Sequence, residues 1–433
     1  MSSALWIGTT GLAASTKEMD VIGNNLANSN TIGYKCGQVS FSSMLSQSLS
    51  GGSGNQQVGQ GVGVAAVSTS FAQGSYETTG SATDLAIDGT GFFIVKSTKD
   101  DLTYYTRAGS FFINEAGNLV DSGGYEVQGR MFEEKDGKIS ESTVLKTINL
   151  TGTKSKPKET TNFELGLNVD SDKEVGGVFT TSQTIYDSQG KKHALAVTFT
   201  READTPAAGD EPIKSNWKVA ATIDKDTEGE VTSIPYTVDG DTYTEITGIQ
   251  FDPDGKFLHP QNGDEANLDI AFLFEDDKWG EDGYINWNIS AEDAPETTSY
   301  AMDSRINAMN NNGYPAGLLN SLDVGSDGII TGFFTNGQQQ KLARVRTASF
   351  SSMDGLSKVG SYFMETNDSG TPSIGNPGEG GLGKCQSHSL EISNTDVAKE
   401  FIKMIAAQRA YQSSSKIITT TDEMLQELMQ IKR

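Results

Sequence analysis

Leu5-Trp6-Ile7-Gly8-Thr9-Thr10-Gly11-Leu12-Ala13-Ala14-Ser15-Thr16-Lys17-Glu18-Met19-Asp20-Val21-Ile22-Gly23-Asn24-Asn25-Leu26 places an apolar residue at every seventh position: Leu5, Leu12, Met19 and Leu26. The far end of the chain does the same with Val397, Met404, Tyr411, Ile418 and Leu425, beside Phe401. Residues seven apart fall on nearly the same side of an α-helix, so each end can present a seam to another helix. Neither run is long enough for a solitary coiled coil, and an isolated amphipathic helix of this length is marginal in water. The seams therefore need partners, either each other or the ends of neighbouring copies. The two ends read as an assembly device.

The whole chain has 433 residues, too many for one ordinary core. Charged residues make up 21% and glycine contributes 48 positions against 10 prolines, a turn-rich and β-rich composition. No run approaches the ~18 apolar residues that span a bilayer, so membrane insertion is not expected. The N-terminus lacks the basic region and apolar core of a cleavable signal peptide. The net charge of −24 is concentrated in the middle: residues 151–299 hold 30 Asp+Glu against 12 Lys+Arg, whereas residues 1–35 carry two of each sign and residues 390–433 six of each. Neutral ends can pack against copies of themselves, while an acidic middle stays solvated. Nucleic acid is disfavoured as a partner, because no Lys/Arg cluster with interleaved aromatics is present.

The chain reads as mainly β with terminal α-helices. Residues 3–30 and roughly 394–431 are expected to be helical, the first ended by Asn and Gly residues suited to a left-handed cap. Gly/Ser/Gln-rich residues 46–64 and glycine-rich 371–384 read as linkers. Period-two runs such as Phe92-Phe93-Ile94-Val95, Leu195-Ala196-Val197-Thr198-Phe199, Trp217–Ile223 and Ile270–Phe274 read as strands. The expected layout is nested. Paired terminal helices (1–35 with 390–433) come first, then a linker region (36–70 with 371–389). A discontinuous β-rich domain follows (71–150 with 300–370), and a second β-rich, acidic domain (151–299) is inserted in it.

No motif calls for an active site, a metal or another cofactor. Gly378-Glu379-Gly380-Gly381-Leu382-Gly383 satisfies G-x-G-x-x-G, but Asn376-Pro377 precedes it and Cys385-Gln386-Ser387-His388 follows before any helix, so it reads as linker glycine. Asp252-Pro253-Asp254-Gly255 and Asp323–Gly328 resemble pieces of a calcium loop, yet Gly263 and Phe334 stand where the closing Glu belongs; both read as turns. Glu275-Asp276-Asp277 reads as a solvated loop. His193, His259 and His388 are scattered, with no third group to orient a catalytic pair. Cys36 and Cys385 are too few for a disulfide framework, and free thiols are favoured over a bond between them.

Two blocks carry a family resemblance. Gly11-Leu12-Ala13-Ala14-Ser15 followed by Met19 through Asn24-Asn25-Leu26-Ala27-Asn28-Ser29-Asn30-Thr31-Ile32-Gly33-Tyr34-Lys35 is similar to the rod and hook signature. Its C-terminal partner runs from Leu390-Glu391-Ile392-Ser393-Asn394-Thr395-Asp396-Val397 to Gln408-Arg409-Ala410-Tyr411-Gln412, and Lys432-Arg433 close the chain. The chain thus resembles the bacterial flagellar axial proteins. Tyr186–His193, the long insertion, Tyr314-Pro315-Ala316-Gly317 and Phe334-Thr335-Asn336-Gly337 resemble hook proteins most closely. Thr395, Cys36 and Cys385 depart from the usual pattern. The resemblance implies a homopolymer of many copies forming a curved, flexible tube that carries torque from rod to filament. Rod and hook-associated proteins would lie at its ends. It further implies a hook cap and the flagellar type III export apparatus as partners, and a location outside the cell. A distal rod or hook-associated component is the second reading.

Overall fold

The computed structural model describes residues 3–44, 47–49, 56–135, 138–204, 214–224, 231–233, 236–238, 241–243, 246–259, 269–273, 284–288 and 296–431. The fold is mainly β, opened and closed by two helices, α1 (Ser3–Ala27) and α2 (Val397–Ile431). Helix α1 stops three residues short of the expected end. Asn28 donates its side-chain amide to Asn24 O at 2.8 Å, and the backbone turns through Ser29 N to Leu26 O; short amide side chains compete with the helical ladder in this way. Helix α2 starts at Val397 because Asp396 caps it, its Oδ1 accepting from Ala398 N at 3.0 Å and Lys399 N at 3.1 Å.

Much of the glycine-rich sequence flanking the helices is paired backbone. Strand Gly37–Ser43 runs antiparallel to Val62–Thr69 as a two-stranded ribbon, from Gly37 opposite Thr69 to Ser43 opposite Val62. Gln47–Leu49 pairs with Gln56–Val58, and residues 45–46 and 50–55 lie outside the described residues. On the return, Ser373–Gly375, Lys384–Ser387 and Ser389–Glu391 pair with Thr347–Ser349, Leu85–Asp88 and Tyr76–Thr78. Low side-chain content leaves the backbone donors to be satisfied, and neighbouring strand edges do so.

The chain divides into two compact units. The first comprises residues 1–153, 320–333 and 339–433. Its central sheet runs in the order Ile329–Phe334, Gln339–Val345, Glu126–Lys135, Phe92–Lys96, Thr103–Thr106, Tyr362–Met364, Ser357–Val359. Phe92, Ile94, Tyr105, Ala348 and Phe363 form an aromatic-rich core there, with Phe71 edge-on to Phe92.

The second unit comprises residues 154–319 and 334–338. Its two sheets share one core: Trp217, Phe199, Val197 and Phe251 from one, Trp287, Phe163, Leu165 and Leu167 from the other. Alternation along Lys192–Glu202 buries Leu195, Val197 and Phe199 in turn. This unit extends past 299, because Arg305–Asn311 completes a sheet edge against Asn162–Asn168. Phe274, Glu275-Asp276-Asp277 and Lys432-Arg433 lie outside the described residues.

Candidate assembly interface

Helices α1 and α2 pack antiparallel: Asn25 meets Glu400, and Gly11 and Gly8 meet Ser414 and Ile418. Their shared seam is built from small residues. On α2 the buried positions are Glu400, Ala407 and Thr421, with Ser414 half-buried between them; on α1 they are Gly8, Ala14, Ser15, Ile22 and Asn25. The approach is close enough that a Cβ on Gly11 would sit 2.7 Å from Ser414 Oγ. This stripe lies beside the large-residue heptads and touches them at Ile418, which packs over Gly8. Leu5, Leu12, Met19, Leu26, Met404 and Ile418 are half-buried, whereas Val397, Phe401, Tyr411 and Leu425 are exposed. Ile402 and Met429 are 69% and 75% exposed, with Ile405, Met424 and Leu428 also open. A helix that buries its small residues and exposes its large apolar ones has inverted the usual amphipathic arrangement.

The residue-by-residue correspondence also fixes an overhang. Since Gly8 meets Ile418, α2 runs on past Ser3 for roughly nine residues, about 13 Å at 1.5 Å per residue. Met424, Leu425, Leu428 and Met429 are on or beside that stretch.

At the other end of the pair the family-motif residues meet in a polar junction. Asn25 reads the Gly37 backbone in both directions, donating to Gly37 O and accepting from Gly37 N, each at 2.8 Å. Tyr34 donates its hydroxyl to Asn25 Oδ1 and accepts from Asn24 Nδ2, both at 3.3 Å. Thr31 donates to Asn28 Oδ1 at 3.1 Å. Gly33 holds φ at +67°, and a Cβ there would lie 2.4 Å from Ala108 N. Only glycine tolerates both constraints. Asn394 accepts from Cys36 N at 2.8 Å and donates to Ser70 O and Ala72 O. Ala27, Gln408 and Arg409 are exposed and take no part, and Asp396 serves as the α2 cap.

Beneath the amides lies an ion cluster that the candidate residues drawn from sequence omit. Glu391 Oε1 accepts from Lys35 Nζ at 2.6 Å and Gly74 N at 2.8 Å, and Oε2 accepts from Arg107 Nη1 at 3.3 Å. The three side chains are 1%, 0% and 4% exposed for Lys35, Glu391 and Arg107. Burial pulls the Lys35 ammonium below its ordinary pKa, with Glu391 pulling the other way; burial likewise lowers Arg107. Lys35 also donates to Ala72 O and Arg107 Nη2 to Gly89 O, both at 2.8 Å. The cluster thus ties segments near residues 35, 72, 89, 107 and 391 at one point. Lys35 and Glu391 stand in the two terminal blocks, so for them the motif itself was the available signal.

The remaining motifs are local structure. Asp252 Oδ1 accepts from Lys256 N and Asp327 Oδ1 from Ile329 N, as turn-forming aspartates do; Gly263 lies outside the described residues. Gly383 N donates to Thr90 O, so the glycine-rich loop is pinned to the first unit's strands. His193 pairs with Asp187 at 3.3 Å across a hairpin, and His388 takes a left-handed φ of 54° between two strands. His259 ends strand Phe257–His259. Cys36 and Cys385 are both buried free thiols. Among the described residues no helix is long and apolar enough to cross a membrane.

Four family models match along the chain. These are the flagellar basal body rod protein model (residues 5–35), the flagellar hook protein FlgE/F/G D1 domain (86–156), the flagellar basal body protein FlaE D2 domain (134–314) and the flagellar basal body rod FlgEFG protein C-terminal model (386–431). Among curated proteins the chain is 32% identical to the flagellar hook protein FlgE of Borreliella burgdorferi and 30% identical to that of Treponema pallidum, each match covering 100% of both chains. The FlgE of Salmonella typhimurium is 29% identical over 98% of each chain. Among solved structures, a crystal structure of Helicobacter pylori flagellar hook protein FlgE2 aligns with TM-score 0.47 at 14% identity, covering 73% of this chain and 100% of that one.

Proposed function

This chain belongs to the flagellar hook protein family and is a structural subunit of the hook, and we propose that the outer face of α2 is the surface through which its copies polymerise. The observation that carries this is the exposure of large apolar side chains on α2: Phe401, Ile402 and Ile405 in its first turns, and Leu425, Leu428 and Met429 on the end that overhangs α1. Exposed apolar surface of this kind marks an interaction site. Each such side chain covered by a neighbour contributes roughly 1.5–3 kcal/mol, so several per subunit hold a polymer without a covalent link.

On this reading the helix pairs line a curved tube, the junction around Glu391 fastens each pair to its β body, and the acidic inserted unit stays in solvent. Helix pairs neutral in sum and a net-acidic inserted unit let neighbouring copies shift past one another as the tube turns, which is what a universal joint between rod and filament requires. Rod and hook-associated proteins bound the two ends, a hook cap directs growth, and the subunits leave the cell through the type III export apparatus. Helix pairs of marginal intrinsic stability suit that route, since they order fully on assembly.

The test is the double variant Leu428→Asp/Met429→Asp, expressed in cells lacking the wild-type gene and scored by electron microscopy of isolated basal bodies. Rods without hooks are expected, from a subunit whose β units still fold. Normal hooks would overturn the assignment of the α2 face.

A further inference from the structure

We infer that the ribbon formed by Gly37–Ser43 and Val62–Thr69 is the surface that receives the outer face of α2 from a second copy; this rests on the α2 reading above. The ribbon pairs Val39 with Val67 and Phe41 with Val64, so both pairs lie on one face of the sheet. Phe41, Val64 and Val67 are exposed on it. Three large apolar residues open to solvent on one face of a two-stranded ribbon are not explained by its own fold.

Two further observations choose the occupant. From Cys36 through Tyr76 the chain carries no Lys, Arg, Asp or Glu, although 21% of the whole is charged and the net charge is −24. A surface free of charge approaches another copy of an acidic chain without repulsion, and the segment bearing α2 is likewise neutral in sum. The ribbon also lies along α1: a Cβ on Gly61 would meet Thr10 Oγ1, and one on Gly37 would lie 3.2 Å from Val21 Cγ1. It therefore continues the helix-pair surface rather than standing apart from it. A ribbon docking on a second ribbon would be self-complementary and would close into a dimer. An open helical polymer needs two different surfaces that fit each other, and the α2 face and the ribbon face are such a pair.

The experiment places a photo-crosslinking phenylalanine analogue at position 41, in subunits co-expressed with unmodified chain so that mosaic hooks assemble. Irradiated hooks are digested and the adducts mapped by mass spectrometry. Adducts joining residue 41 to the 397–431 segment of another chain are expected. Adducts within the same chain, to another ribbon or to another element would overturn the inference, as would hooks that contain the probe and give no adduct. Because the hooks assemble in every case, such a result leaves the role of α2 standing. As a second measurement, Val67→Asp is expected to be incorporated into mosaic hooks several-fold less than wild type while its β units stay folded. Equal incorporation would refute the docking surface.

Discussion

Glu391→Gln tests the junction most directly, because it alters one charge and almost no volume. In the native protein two buried cations, Lys35 and Arg107, share one fully buried carboxylate. The glutamine keeps an oxygen for one donor but removes the charge, leaving both cations without a counterion in a site that water does not reach. Removing one partner of a buried pair costs about 3–5 kcal/mol; since the amide retains part of the hydrogen bonding, the lower end, about 3 kcal/mol, is expected. The pH dependence has a definite sign. Lys35 is already held below its ordinary pKa by burial, and losing Glu391 removes the largest influence raising it. The unfolded chain then binds more protons than the folded one between that lowered value and the ordinary lysine value. Stability therefore rises with pH in this window, and the deficit of the variant shrinks from neutral pH toward pH ~10. Hydrogen exchange read by mass spectrometry is the assay, since it resolves local opening. Peptides covering residues 31–37 and 389–394 should exchange more than about a hundredfold faster than in wild type, while peptides from the second unit's Leu195–Ile223 region keep their rates. The triple replacement Lys35→Met/Arg107→Leu/Glu391→Leu should recover part of the loss, as apolar substitutes for buried ion clusters often do. A change below tenfold in Glu391→Gln, or a deficit that grows with pH, would refute the reasoning.

Ala407→Leu adds bulk at a buried position of the α2 seam, Ala407 being 1% exposed; overpacking should cost about 1–3 kcal/mol and reduce the yield of hooks, measured by helix content and by electron microscopy. Wild-type hook frequency with unchanged helix content would contradict the small-residue seam. Ser155 and Gly317 are directly paired, so residues 156–316 can be replaced by a two-residue turn. The shortened chain should keep the first unit's fold and still form tubes, and failure to assemble would show that the inserted unit is needed for polymerisation. Burial pushes the Cys385 thiol up to about 12, with Asp327 adding to it, so at pH 8 it should not react with a thiol reagent until the protein is unfolded. Rapid native labelling at that site would contradict its burial.

Some of this was determined by the amino-acid sequence alone. Helix periodicity, strand alternation in Lys192–Glu202 and the acidic bias of the middle are local properties, and each follows from residue order without reference to partners. The terminal blocks likewise pointed to a rod or hook subunit, because their amides and glycines sit at a fixed spacing. Other features depended on the fold. The heptad of large residues was visible at both ends, but which stripe α1 and α2 share could not be read from it. Glycine, alanine and serine permit the closest approach, and that becomes decisive only when two helices compete for the same space. The Gly/Ser-rich flanks looked like linkers because backbone pairing leaves no trace in side chains. The Lys35–Glu391–Arg107 cluster joins residues hundreds of positions apart, and its stability depends on exclusion from water, which is a property of the assembled junction and not of any one segment.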